Sequence, residues 1–144
     1  MFELKVVRER RAGYGSARRV TTPAAVYEAF RERGATSDRE EFIVLPLDSK
    51  NTPLGFHVCS VGTVGASLVH PREVFKIAIL ANAAAVILVH NHPSGDPLPS
   101  AEDKQITKRI REAGELMGIS VLDHVIIGDG RYYSFVDEAE FRAP

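Results

Sequence analysis

Apolar residues recur along the first part of this chain with the spacing of a helix. The segment TPAAVYEAFRERG, residues 22–34, has a threonine suited to an N-cap, a proline at the first helical position and a terminal glycine. Val26, Ala29 and Phe30 would form its buried stripe. We therefore predict a first helix that ends at Gly34.

A strand pattern follows this helix. Residues 41–48 alternate and predict a strand, in which Pro46 favours an edge position or a bulge. The turn at residues 49–53 returns the chain as a partner strand over residues 54–64. His70-Pro71 then opens a second helix that runs to about residue 82.

The second half of the chain alternates between strands and a long helix. Residues 84–89 are apolar throughout, which is typical of a strand buried on both faces. A proline-rich loop and a helix over residues 101–117, stopped by Gly118, come next. Short strands are expected at residues 119–122, 125–127 and 131–136. This alternation predicts an α/β fold, a three-layer sandwich with a mixed β-sheet flanked by helices.

Composition narrows the class of protein. A chain of 144 residues, 44% hydrophobic and 26% charged, suits one globular domain. Its longest apolar run is too short to cross a bilayer, and its charged first residues do not resemble a secretory signal. One cysteine, Cys59, excludes an intrachain disulfide and a thiolate zinc cage. These features favour a cytoplasmic protein without membrane partners.

Charge is distributed unevenly. Residues 1–19 carry six basic and two acidic side chains, a net charge of +4, whereas the remainder carries −5. We therefore divide the chain into a basic N-terminal arm, residues 1–20, and a single domain, residues 21–144. The arm could contact phosphates, but a solubilising terminus is the simpler interpretation and the one we favour.

Candidate chemistry is concentrated where the buried strand ends, in the segment HNHPSGDPLPSAED. His90 and His92 stand two residues apart in extended chain, so their side chains project to the same side. Asp103 lies three residues before Ile106, on the apolar stripe of the next helix, where a carboxylate is costly unless it is paired or binds a metal. Two histidines and an aspartate leave a fourth zinc position for water, as in catalytic sites.

A simpler interpretation exists for the same residues. Ser100 and Asp103 also fit an N-capping arrangement, in which Asp103 occupies the favourable first turn of the helix. His90 and His92 would then be polar residues at the end of a buried strand. The coincidence of both histidines with an inward-facing aspartate favours the metal.

The spacing H-x-H-x7-S-x2-D resembles that of the JAMM motif in JAB/MPN metallopeptidases. The longer string HNHPSGDPLPSAEDKQIT, with HPREVFKIAI before it and LDHVIIGDGRYYSF after it, closely resembles the RadC family over residues 38–136. The resemblance implies a fold related to cytidine deaminases and a Zn2+ ion held by His90, His92 and Asp103. It implies that Ser100 assists catalysis by hydrogen-bonding the oxyanion. Residues 1–37 do not resemble the N-terminal DNA-binding module of longer RadC proteins.

The resemblance also implies a catalytic glutamate in an E-x-F setting, which indicates Glu40. Glu41 points to the opposite face of a regular strand and is the alternative. The implied activity is zinc-dependent hydrolysis of a peptide or isopeptide bond in a peptide or protein substrate, through a zinc-activated water. The alternatives are a nucleic-acid-associated DNA repair factor, as a metal-dependent nuclease or a non-catalytic zinc domain, and a deaminase. A deaminase ranks last because its cysteine ligands are absent.

Overall fold

The computed structural model describes residues 1–3, 5, 7, 22–62 and 69–141. The strands of these ranges form one mixed sheet flanked by helices, so the predicted α/β architecture is confirmed. In chain order the elements are α1 (Pro23–Thr36), β1 (Glu40–Leu47), β2 (His57–Gly62), α2 (Pro71–Leu80), β3 (Ala85–Asn91), α3 (Ala101–Met117), β4 (Ser120–Ile127) and β5 (Tyr132–Ser134).

The strand order across the sheet is β2-β1-β3-β4-β5. Among the described strands, only β3 and β4 pair in parallel, and α3 forms the crossover between them. The other pairs of neighbouring strands are antiparallel, as the predicted hairpin of β1 and β2 requires. The carboxyl ends of β3 and β4 therefore meet at the same edge of the sheet, close to the start of β1.

Alternate residues of the central strands fill two apolar layers on opposite faces of the sheet. One layer contains Phe42 and Leu88 together with buried residues of α2 and α3. The other contains Ile43 and Val89 together with Val26 and Phe30 of α1. Because β3 is buried at every position, polar residues at its end lie inside the protein.

The first helix differs from its prediction in two respects. It continues past Gly34 to Thr36, and Ala29 is exposed, whereas Val26 and Phe30 are buried as expected. Gly34 is half-buried, and a Cβ there would lie 2.9 Å from the Cγ2 of Ile127, so this glycine serves close packing on β4 instead of ending the helix.

Pro46 lies neither on an edge strand nor at the bulge of β1, contrary to the prediction. Its strand is flanked by β2 and β3, and the irregularity falls between Phe42 and Ile43. The carbonyl of Pro46 accepts a hydrogen bond from the N–H of Leu54, beyond the paired part of β2. The proline nitrogen faces that same side, so its missing N–H removes no bond to β3.

The two strands predicted at residues 119–122 and 125–127 are one continuous strand, β4. Asp123 in its middle is buried, and its carboxylate accepts hydrogen bonds from the hydroxyl of Ser134 and from the N–H groups of His124 and Val136. These bonds let a carboxylate remain within a buried strand, because they replace the water that it loses. The predicted break between the two strands is therefore wrong.

Some expectations concern residues beyond the described ranges. Most of the basic arm predicted for residues 1–20 lies outside them, as do residues 63 and 64 of the predicted partner strand. In the described parts of the chain, no helix combines the length and the apolar character that crossing a membrane would need.

Close packing at Gly114 yields a test of the fold. A Cβ at this position of α3 would lie 2.5 Å from the backbone oxygen of Ile119 and 3.1 Å from the ring of Phe75. We expect Gly114→Ala to lower the free energy of unfolding by about 1–3 kcal/mol, although alanine is favoured over glycine in a helix by about 1 kcal/mol. Chemical denaturation measures this change.

The matched control is Gln105→Ala, at an exposed position of the same helix. This variant should unfold within about 0.5 kcal/mol of the wild type. A Gly114→Ala protein that is more stable than the wild type would show that helix propensity outweighs packing at this position.

Candidate metal centre

His90 and His92 meet at the carboxyl end of β3. His90 is the next-to-last residue of the strand, on the same face as Leu88, and its ring stacks on that of Phe42 with centroids 5.9 Å apart. The N–H of His92 donates to the carbonyl of Ile127, so the chain stays extended beside β4. The spacing of two residues then brings the Nε2 atoms of both histidines within 2.8 Å of each other.

The loop after His92 returns to hold its ring. Gly95 adopts a φ of 86°, which favours glycine, and its carbonyl accepts the N–H of Asp129. The carbonyl of Asp96 then lies 2.7 Å from the Nδ1 of His92. Because a carbonyl can only accept, Nδ1 carries the proton, and the lone pair of a neutral His92 is on Nε2.

Asp103 completes the cluster from the first turn of α3. It is 3% exposed, and its Oδ1 and Oδ2 lie 3.4 Å from the Nε2 of His90 and 3.3 Å from the Nε2 of His92, respectively. Its Oδ2 also accepts the N–H of Ser100 at 2.7 Å, while the Ser100 hydroxyl accepts the N–H of Asp103. These two hydrogen bonds form the capping box that was the simpler interpretation of the sequence. The carboxylate of Asp103 thus caps the helix and faces both histidines at the same time.

Electrostatics favour an anion facing imidazoles. Burial alone would raise the pKa of Asp103, but its hydrogen bonds with His92 and with Ser100 outweigh this and lower the pKa. Burial lowers the pKa of His90 to about 4, so this ring is neutral near pH 7. Burial opposes protonation of His92 as well, but its bonds to Asp103 and to the Asp96 carbonyl raise its pKa.

The three groups fit a metal ion by their chemistry. One ligand atom from each of His90, His92 and Asp103 lies within 4.8 Å of the other two. Ligands of a tetrahedral zinc at its usual bond lengths lie about 3.3 Å apart, close to both carboxylate-to-imidazole distances. An inward carboxylate facing two ring nitrogens requires a shared cation, either a proton or a metal. The three residues could therefore bind a metal ion.

The two glutamates of β1 lie on opposite faces of the sheet. Arg33 of α1 forms an ion pair with Glu41, on the face of Ile43. Glu40 lines an open cleft with Pro93 and Ser94, and its charge contributes to raising the pKa of His92. The structure therefore separates Glu41 from the three-residue cluster, and the catalytic role of Glu40 stays a prediction.

Asn91 has a role that the sequence analysis did not assign. It ends β3 and is buried. Its Oδ1 accepts the N–H of Glu41 at 2.8 Å, and its Nδ2 donates to the carbonyl of Arg39 at 3.0 Å. These bonds hold the backbone on both sides of Glu40. No local pattern could indicate this contact, which spans some fifty residues.

His124 and Thr107 form a further layer behind the cluster. His124 is fully buried, and its Nε2 lies 2.8 Å from the Nδ1 of His90. Thr107 lies one helical turn after Asp103 and contacts the other ring nitrogen of His124. Their distance from the histidine motif in the sequence conceals this association.

Comparison with known proteins identifies the family of this chain. A model of the RadC-like JAB domain matches residues 20–141. The chain is 52% identical over 125 residues to a UPF0758 protein of Methanosarcina acetivorans. The aligned region covers 87% of this chain and 55% of the relative. It is 54% identical over 140 residues to a UPF0758 protein of Syntrophotalea carbinolica, and this aligned region covers 94% of the chain and 62% of the relative.

A UPF0758 protein of Geobacter sulfurreducens is 56% identical over 122 residues, 82% of this chain and 52% of the relative. The chain thus spans about half the length of the curated relatives that it matches, and their names state no activity. The matched family model covers both histidines, Asp103 and the whole described sheet. The chain therefore belongs to the RadC-like JAB domain family.

Proposed function

We propose that this domain is a zinc-dependent hydrolase of the JAMM metallopeptidase type, which cleaves a peptide or isopeptide bond. The observation that carries the proposal is the convergence of two imidazole nitrogens and one buried carboxylate within 3.4 Å of one another. Pro93, which follows His92 in the chain, lines an open cleft. The proposal concerns the domain, because the chain spans about half of its relatives.

The donor set supports zinc in particular. Zinc accepts imidazole and carboxylate ligands together, whereas magnesium and calcium prefer oxygen alone. Three protein ligands leave a fourth position open, as in catalytic zinc sites. Zinc bound there would act as a Lewis acid and lower the pKa of a bound water from about 16 to about 7.

Glu40 is the proposed general base. Its carboxylate would take a proton from the attacking water and later deliver it to the nitrogen of the leaving amine. Its position in the cleft, on the face of β1 opposite to the ion pair of Glu41 with Arg33, supports this role. The two hydrogen bonds of Asn91 to the flanking backbone would keep the glutamate in position.

Ser100 is the proposed donor to the oxyanion of the tetrahedral intermediate. Its hydroxyl oxygen accepts the N–H of Asp103, so its own proton remains for an acceptor outside the helix. Ser100 is exposed at the N-terminus of α3, where the helix dipole favours negative charge. One such donor typically contributes about 3 kcal/mol to transition-state stabilisation.

The first prediction concerns metal content. Purified wild-type protein should hold close to one zinc per chain, and His92→Ala should lose most of it, because one of three protein ligands is removed. Elemental analysis after dialysis measures the content. The control is His70→Asn, which replaces an N-cap histidine of α2 with another good N-cap residue and should keep the zinc. A wild-type protein that cannot take up zinc would refute the proposal.

The second prediction separates metal binding from helix capping at Asp103. In Asp103→Asn the amide oxygen can still accept the N–H of Ser100, but the charge is lost, and an amide is a poorer zinc ligand. We expect a weaker zinc affinity, measured by competition with a chelator, with little change in thermal stability. If zinc affinity is unchanged and only stability falls, Asp103 serves the cap alone.

The third prediction concerns the base. Glu40→Gln should keep the zinc and the fold but abolish hydrolysis of any peptide or isopeptide substrate that the wild type cleaves, because an amide cannot take the proton. Glu41→Gln is the matched control on the other face of β1 and should retain most activity. Loss of activity in Glu41→Gln alone would transfer the role to Glu41.

A further inference from the structure

A chain of short hydrogen bonds connects two of the proposed metal ligands through the interior of the domain. It begins at the backbone carbonyl of Asp103, which lies 2.6 Å from the hydroxyl of Thr107. That hydroxyl lies 2.6 Å from the Nδ1 of His124. The Nε2 of His124 in turn lies 2.8 Å from the Nδ1 of His90.

The direction of every proton in this chain follows from its first member. A carbonyl only accepts, so the single proton of the Thr107 hydroxyl points to Asp103. The hydroxyl oxygen must then accept, which puts a proton on the Nδ1 of His124. The Nε2 of this neutral ring is therefore an acceptor, and the Nδ1 of His90 must donate to it. The lone pair of His90 is left on Nε2, the atom that faces His92 and Asp103.

We propose that Thr107 and His124 are positioning residues that keep the proton of His90 on Nδ1 and hold its Nε2 ready to bind the metal. The inference rests on the proposed zinc centre, in which His90 is a ligand. If every hydrogen bond in this chain ran in the opposite direction, the Nε2 of His90 would carry a proton and could not coordinate a cation. Partners of this kind fix the tautomer and the ring orientation of metal-binding histidines.

Packing alone does not account for a histidine at position 124. The ring of Phe135 stacks on it at 4.9 Å, and Phe42 contacts its edge at 5.5 Å, so an apolar side chain would fill this space at no cost in desolvation. His124 is fully buried, and its two ring nitrogens contact the hydroxyl of Thr107 and the ring of His90, not a carboxylate, so a positive charge there would be costly. The ring is therefore neutral, with one donor and one acceptor nitrogen, as the chain of hydrogen bonds requires.

Paired substitutions test the proposal on the full chain. His124→Gln replaces the ring with a group that has an acceptor and a donor, whereas His124→Leu removes both. Thr107→Ser keeps the hydroxyl, and Thr107→Val removes it with little change in shape. We expect His124→Leu and Thr107→Val to weaken zinc affinity about 10- to 100-fold, and the Gln and Ser variants to recover most of it. Competition with a chelator measures the affinity.

A second measurement reads the proton directly. Long-range 1H–15N NMR spectra of the metal-free protein should show His90 protonated on Nδ1 in the wild type and a mixture of tautomers in Thr107→Val. Protonation of His90 on Nε2 in the wild type, or zinc affinity unchanged in both His124→Leu and Thr107→Val, would overturn the inference. If His124→Leu fails to fold, the Thr107 pair decides the outcome.

The two proposals fail in different ways. A wild-type protein that binds no zinc refutes the proposed function, but the NMR spectra still test the tautomer of His90. Conversely, normal zinc binding in the wild type together with unchanged affinity in both His124→Leu and Thr107→Val leaves the zinc centre intact and refutes the role of the two positioning residues.

Discussion

The buried carboxylate of Asp103 is the constraint on which the rest of this site depends. A charge at 3% exposure is costly unless hydrogen bonds or a cation replace the lost water. Here the first turn of α3 supplies the N–H of Ser100 and the positive end of a helix dipole. The remaining compensation must come from a cation shared with the imidazoles of His90 and His92, which approach from a different element. The packing of α3 against the end of β3 is therefore coupled to the chemistry of the cluster.

The end of β3 serves both faces of the sheet. His90 points to the side of α3, and the next residue, Asn91, points to the side of α1. From there its amide holds the backbone on both sides of Glu40 in the neighbouring strand. The proposed ligand and the proposed base are thus positioned by consecutive residues of one buried strand. Such a strand has few alternative positions, because every one of its residues is packed.

Several features of the fold could be predicted from local patterns. Helix α3 begins and ends where its N-cap serine and Gly118 indicate, and the i, i+2 spacing of the histidines brings their rings together as expected. The errors arise where distant residues override a local signal. Gly34 does not end α1, because the helix packs closely on β4, and Asp123 does not interrupt β4, because Ser134 and Val136 satisfy its carboxylate. Neither partner can be identified from the neighbouring sequence.

The sequence by itself determined the alternation of helices and strands, the family resemblance and the three residues that could hold a metal. These depend on periodicity, capping residues and short spacings, which act within a few positions of the chain. Only the tertiary structure decided that Glu41 pairs with Arg33, what orients His92, and that Thr107 and His124 lie behind His90. These contacts join residues that are distant in the chain or use backbone carbonyls, and a carbonyl has the same chemistry at every residue. Their selection depends on how the sheet and α3 pack, which a local pattern does not encode.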